Sequence, residues 1–235
     1  MASMPIKIFL DRFPSATPVD DVLIVDRLLE LTDSIIDFCG KRKIFILLKN
    51  LDLQGFALYP VKKDVGGNAK KISKAAKTHN AKTLAELLDS EKKLGSVNRS
   101  SSGSTALLWL FRTMELIFTF LTGIVDNPEA DVHQLGRDAY SKTLMRYHHI
   151  AVQKVFYLGL GLFPHRTEFL RRLALNQPGL NDYVMKRLEL FVKDYRRKLI
   201  PIRNILVEYG LENSCTSDHS EEMVTRDEEE TVAVR

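Results

Sequence analysis

Apolar residues recur along most of this chain at three- and four-residue spacing, the period of helices with one buried face. From Asp20 to Phe38 they fall at Val22, Val25, Leu28, Leu29, Ile35 and Ile36, which predicts a first helix that Gly40 and the basic Lys41–Lys43 interrupt. A second runs from about Gln54 to Ala76, with Pro60 expected to break or kink it near its start. A third, Leu84 to Leu94, ends at Gly95 and a loop rich in Ser and Gly, Ser96 to Ser104. Ser104 or Thr105 then stands where a cap is needed for a long apolar helix through Val125, which Asp126-Asn127-Pro128 stops. The pattern from Val132 to Phe163 is the longest and ends at Pro164. Shorter helices are predicted at Thr167–Leu175, Leu180–Leu199 and Pro201–Leu211, with Pro201 in a first turn, where no backbone donor is lost. No strand alternation of useful length and no internal repeat breaks this pattern. One all-α domain follows, spanning residues 20–211, with an N-terminal segment 1–19 before it and a tail 212–235 after it.

The stretch from Ala106 to Val125 is apolar enough to cross a bilayer, but it holds Arg112 and Glu115 near its centre, both costly in hydrocarbon. A buried or cavity-lining helix is the better reading. The first residues, Met1 to Phe9, lack the basic start and apolar run of a secretory signal, and two cysteines, Cys39 and Cys215, are too few for a disulfide framework. Both point to a cytoplasmic setting. Charge is unevenly spread. From Glu212 onward eight acidic residues face two basic ones, a net −6, so with +4 overall residues 1–211 carry +10. The apolar-poor acidic tail is expected to be disordered and open to a protein partner. The basic body is drawn to anionic surfaces, whether membrane or nucleic acid, and charge alone does not choose.

Three groups of residues carry candidate chemistry. Asp64, Asn68 and Lys71 lie at i, i+4 and i+7, on one helix face, with Gly66-Gly67 between them. Such a stripe is compatible with a solvated surface. Two glycines inside a helix nevertheless cost roughly 1 kcal/mol each, and they are easier to understand where something approaches the backbone. A carboxylate, an amide and an ammonium suit sugar hydroxyls. Trp109, the only tryptophan, reads as core or as a platform for a sugar ring. Arg112 reads as the partner of Glu115 or as a contact to an anionic headgroup. His148 and His149 are adjacent, a poor chelating pair on a helix, and the other histidines are scattered, so neither a metal nor a cofactor is expected. One of the two histidines can donate to a buried carbonyl. The chain has no Gly-x-Ser-x-Gly turn, phosphate-binding glycine loop or His-Glu-x-x-His pair, which leans against an enzyme.

Asp64-Val65-Gly66-Gly67-Asn68-Ala69-Lys70-Lys71 resembles the Asp-x-x-Gly-Asn-x-x-Lys segment of glycolipid transfer proteins. Leu108-Trp109-Leu110-Phe111-Arg112 is similar to that family's Leu-Trp-Leu-x-Arg helix. Ala139-Tyr140, Tyr147-His148 and Val152-Gln153-Lys154-Val155-Phe156 resemble its Ala-Tyr…Tyr-His…Val-Gln-Lys-Ile-Phe run. The order and spacing agree across residues 54–211. The resemblance implies a two-layer all-α sandwich enclosing a hydrophobic lipid pocket, and transfer of glycosphingolipids between membranes without catalysis, cofactor or nucleic acid. It implies that Asp64, Asn68 and Lys71 bind the sugar, that Trp109 stacks on it, and that His148 donates to the ceramide amide carbonyl. Val152, Val155 and Phe156 are then expected to line the hydrocarbon pocket.

The chain departs from the family at Ile150, where a membrane-contacting tryptophan is usual, and in its acidic tail, and it lacks a clear phenylalanine-rich acidic tethering motif. A peripheral, transient membrane association is expected, with the basic body contributing to it. A ceramide-1-phosphate carrier and a sphingolipid-bound sensor or adaptor are the competing readings. Trp109 and Asn68 favour sugar; Arg112 and the basic body favour phosphate.

Overall fold

A computed structural model describes residues 7–12, 18–39 and 59–212. Among them the chain forms eight α-helices and no strand. They are α1 (Val25–Phe38), α2 (Tyr59–His79), α3 (Leu84–Lys93), α4 (Gly103–Asp126), α5 (Val132–Lys142), α6 (Ile150–Gly161), α7 (Arg166–Leu173) and α8 (Asn181–Glu208). Gly40, Lys41–Lys43, Gln54 and the tail beyond Glu212 lie outside the described residues. The helix expected from Gln54 is described from Tyr59, and Pro60 is its second described residue.

The apolar stretch that reads as a possible span is α4, and it forms the hub of the fold. It packs against α2, α8, α5 and α3. Leu107, Leu110, Phe111 and Met114 on it are fully buried. One face of α4 joins a core built from α1, α2, α3 and the second half of α8. Its C-terminal half joins another built from α7 and the first half of α8. Ile8 and Leu10 are buried in that second core, so the compact body begins before residue 20. Glu212, counted with the tail in sequence, is buried too.

The polar residues at helix starts explain several boundaries. Thr83 and Glu86 cap α3 reciprocally, Ser102 caps α4, and Asp131 caps α5. The α4 cap therefore falls before Ser104 and Thr105. Ser104 is withdrawn because its N–H and that of Gly103 donate to the buried Glu91 carboxylate, at 2.8 and 2.7 Å.

Two sequence boundaries move for identifiable reasons. The pattern from Val132 to Phe163 is not one helix. The chain leaves α5 at Thr143, passes through a 3₁₀ turn at Met145–Tyr147, extends at His148 and restarts at Ile150 behind His149. Helical spacing of apolar residues survives this bend, so periodicity alone could not detect it. In the other direction, the helices split at Pro201 are one, α8. Proline's fixed φ fits a helix, and the carbonyl that loses its donor belongs to Arg197, an exposed residue.

Candidate functional site

The close packing of α2 on α4 brings together residues nearly fifty positions apart in sequence. Asp64 and Asn68 stand one turn apart on α2, and Trp109, Arg112 and Thr113 face them from α4. The Thr113 hydroxyl lies 3.2 Å from Asp64 Oδ2. Solvent reaches the Asp64 side chain, yet the protein atoms around its carboxyl desolvate it and push its pKa up. The Thr113 hydrogen bond, the nearby Asn68 amide, and the charges of His148 and Lys71 pull the other way.

Asn68 is the unusual member of this group. It is 6% exposed, and its Nδ2 makes no hydrogen bond of ordinary length, even to Asp64. A buried amide nitrogen without a partner costs about 1–3 kcal/mol. Such groups are rare in folded proteins and point to a missing acceptor.

The turn between α5 and α6 supplies the other wall. It places His148 inward and leaves His149 exposed as the cap of α6. The His148 ring lies nearly parallel to the Trp109 indole, with centroids 5.9 Å apart at 14°. Its Nδ1 is 2.9 Å from the Tyr140 hydroxyl. Burial pushes the Tyr140 phenol up to about 12, so it stays protonated and donates to Nδ1. Burial also pulls His148 down from its usual value, against the opposing effect of Asp64. With the phenol donating to Nδ1, the neutral ring carries its proton on Nε2, a donor on the side away from Tyr140.

Two expected site residues are otherwise engaged. Lys71 Nζ donates to the Ser100 carbonyl at 3.0 Å, tying α2 to the loop before α4. Arg112 does not pair with Glu115. Its Nε donates to Glu212 at 2.9 Å, and its guanidinium lies 3.5 Å over the Tyr147 ring. Glu115 pairs instead with Arg203. Because Glu212 closes the chain on Arg112 from far along the sequence, no local pattern could reveal it.

Beyond the polar cluster lies an apolar cavity of about 50 Å³, walled by Phe38, Val61, Ile117, Phe120, Phe156 and Leu160. Phe156 thus lines it, stacked on Tyr140 at 4.0 Å. Val152 and Val155 do not. They sit on the outer side of α6, 46% and 56% exposed. None of the residues of α6 is fully buried, although the helix is strongly apolar. It is a loosely held wall. The cavity has room for about two waters, at roughly 30 Å³ each, so this wall must move for a hydrocarbon chain to enter.

Gly66 and Gly67 remain helical. A Cβ at Gly66 would make an ordinary contact with Ile36, and one at Gly67 would meet nothing within 4 Å. The fold therefore does not require glycine at Gly67. Gly67→Ala is expected to stabilise the chain by about 1 kcal/mol, from helix propensity alone, read as a raised thermal midpoint.

Phe156, which lines the apolar cavity and packs on Tyr140 and His148, joins the polar cluster to that cavity within an all-helical body. The glycolipid transfer protein family model matches residues 28–175. A glycolipid transfer protein of Danio rerio is 31% identical over 154 residues, 61% of this chain and 73% of that one. Among solved structures, FAPP2, which selects simple glycosphingolipids with a GLTP fold, superposes with a TM-score of 0.68 at 23% identity, covering 92% of this chain and 98% of that one. Mouse ceramide-1-phosphate transfer protein in its apo form gives 0.69 at 18%, covering 87% and 97%. This chain belongs to the glycolipid transfer protein family, and its fold is that family's two-layer all-α sandwich.

Proposed function

We propose that this chain moves glycosphingolipids between membranes, holding the sugar and amide at the Asp64–Asn68–Trp109–His148 cluster and the hydrocarbon in the cavity behind it. The observation that carries this reading is the buried, unpartnered Asn68 amide beside Asp64. A sugar hydroxyl or amide supplies the acceptor that Asn68 lacks and a donor for the Asp64 carboxylate. His148 Nε2–H is free for the ceramide carbonyl. Trp109, half-buried, offers ring surface to the apolar face of a sugar. A lipid leaving a bilayer unaided exposes its chains at roughly 0.8 kcal/mol per CH₂. Seating them between α6 and the core removes most of that cost without an energy source.

Peripheral docking follows from α6, whose Ile150 and Leu158 are 61% and 73% exposed. An apolar, loosely packed helix at the cavity wall is suited to touch the membrane surface and part from the core as lipid enters. Lys71 joins the sugar contacts only by leaving Ser100.

The test is vesicle-to-vesicle transfer of galactosylceramide, lactosylceramide, ceramide-1-phosphate and phosphatidylcholine in parallel. Movement of the glycosylated lipids alone supports the sugar reading. Movement of ceramide-1-phosphate alone replaces it with a phosphate carrier, and no movement favours a sensor or adaptor. Arg112, already neutralised by Glu212, weighs against phosphate. Tyr140→Phe tests the His148 role. Without the phenol donor Nδ1 is free to take the proton, and transfer is expected to fall about fivefold, the effect of roughly 1 kcal/mol, with headgroup preference unchanged. An unaltered rate would remove His148 from the amide contact.

A further inference from the structure

Asp131, His133 and His165 meet where the start of α5 passes the segment between α6 and α7. One ligand atom from each lies within 4.8 Å of the others. The sequence hides this grouping because His133 lies on α5 and His165 just before α7, brought together only when the α5–α6 pair folds back.

The hydrogen bonds around them set the chemistry. His133 Nε2 is 2.7 Å from the Phe163 carbonyl, which can only accept, so that nitrogen carries a proton. Nδ1 is then the ring nitrogen left for a further partner. It faces Asp131 Oδ2 at 3.4 Å. The other carboxylate oxygen, Oδ1, is occupied in capping α5 through Gln134 N–H at 2.9 Å, which leaves Oδ2 available. A metal ion held by both would take the place of the proton that His133 and Asp131 otherwise share. A tetrahedral zinc ion with bonds of about 2.0–2.1 Å sets its ligands about 3.4 Å apart, the spacing of His133 Nδ1 and Asp131 Oδ2, with His165 within 4.8 Å of both.

His165 completes the set. Its ring meets His133 edge-on, with centroids 5.1 Å apart, and it makes no capping hydrogen bond at the start of α7. It is exposed, so it can turn toward an ion without disturbing the core. The His133 Nε2–H bond to a backbone carbonyl is the support that metal-ligating histidines usually have.

We propose that Asp131, His133 and His165 bind one divalent transition metal ion, zinc by their donor chemistry, with a fourth position open to water. The ion fastens the base of the α5–α6 hairpin, whose other end carries Tyr140 and His148.

The test uses the tag-free, full-length chain stripped of metal. Calorimetric titration with zinc is expected to give one ion per chain, and cobalt the visible absorption of a tetrahedral site. Saturating zinc raises the thermal midpoint by several degrees through preferential binding to the folded state. His165→Ala is expected to keep its fold, since the residue is exposed, and to weaken zinc binding on the order of 100-fold. Asp131→Asn keeps a capping oxygen and weakens binding similarly. His149→Ala, at the far end of α6, leaves binding unchanged. Absence of zinc binding to the wild-type chain overturns the proposal. So does an affinity that neither His165→Ala nor Asp131→Asn alters, or one that His149→Ala abolishes.

Discussion

Trp109→Ala is expected to lower glycosphingolipid transfer about 30-fold or more while the chain stays folded. The indole stacks with His148, meets Tyr147 edge-on at 6.3 Å and lies beside Arg112. Removing it takes away the proposed sugar platform and the ring that stacks on His148. Truncating an aromatic anchor of this kind costs at least about 2 kcal/mol of binding, which is roughly 30-fold. The fold survives because α4 is held by Leu107, Leu110, Phe111 and Met114, which remain buried, while Trp109 is only half-buried. Loss of stability is therefore expected below about 3 kcal/mol, the lower end for truncating a fully buried aromatic. Far-UV circular dichroism and a thermal melt check the fold, and vesicle transfer checks the function. Trp109→Phe, which retains a ring face, should recover part of the rate. A folded Trp109→Ala chain that transfers at a third or more of the wild-type rate would show that the indole is packing and nothing else.

Much of the helical architecture was legible in the sequence because each helix buries a face, and burial leaves a period. What periodicity cannot report is how a chain bends between two helices of similar pattern. The break from Thr143 to His149 escaped detection for that reason, and it is the bend that turns His148 inward. The proline in α8 acts in the opposite sense, since its ring fits the helix and the carbonyl left without a donor belongs to an exposed residue, Arg197. Motif spacing on α2 and α4 was enough to bring Asp64, Asn68 and Trp109 together, because both helices are regular. Pairings that close long loops were not legible. Arg112 with Glu212, Glu115 with Arg203, and His133 with His165 each depend on the assembled fold. Val152 and Val155 lie on the outer side because apolar residues fall on every side of α6, with only Gln153 and Lys154 polar, and such a helix gives little signal for which side faces the core.

These long-range pairings bear on headgroup choice. An arginine inside the site favours phosphate only when its charge is available. Here Glu212 pairs with it and the Tyr147 ring covers it, and Lys71 is tied to the Ser100 carbonyl, so neither cation of the cluster is unengaged. Such a cluster leaves groups unpaired when a diacyl lipid enters and repels a phosphate near Asp64.

The largest effect on stability is expected at Glu91, which sequence patterning gives no reason to notice. Its carboxylate is 3% exposed and accepts from the N–H groups of Gly103 and Ser104, the first two residues of α4. The hub helix thus begins on a buried negative charge, where the helix dipole favours one. Glu91→Ala leaves two buried donors without acceptors, at about 1–3 kcal/mol each, and opens a cavity besides. The start of α4 cannot slide to compensate, because a Cβ placed at Gly103 would lie 2.7 Å from that of Ala75. A loss of about 3–5 kcal/mol follows, seen as a fall of about 10 °C in the thermal midpoint of a chain this size. Glu91→Gln retains one acceptor oxygen but turns a donor amide toward the other N–H, so it should recover only part of the loss. Function should weaken before the chain unfolds. The same loop supplies the Val97 carbonyl beside Ser102, Ser104 and Thr105, and the Ser100 carbonyl that holds Lys71. Loosening it shifts the polar face of α2 against α4, where Asn68 and Asp64 must keep their spacing. A Glu91→Ala midpoint within about 2 °C of wild type would mean that water replaces the carboxylate at little cost, and that α4 is fixed by its apolar faces alone.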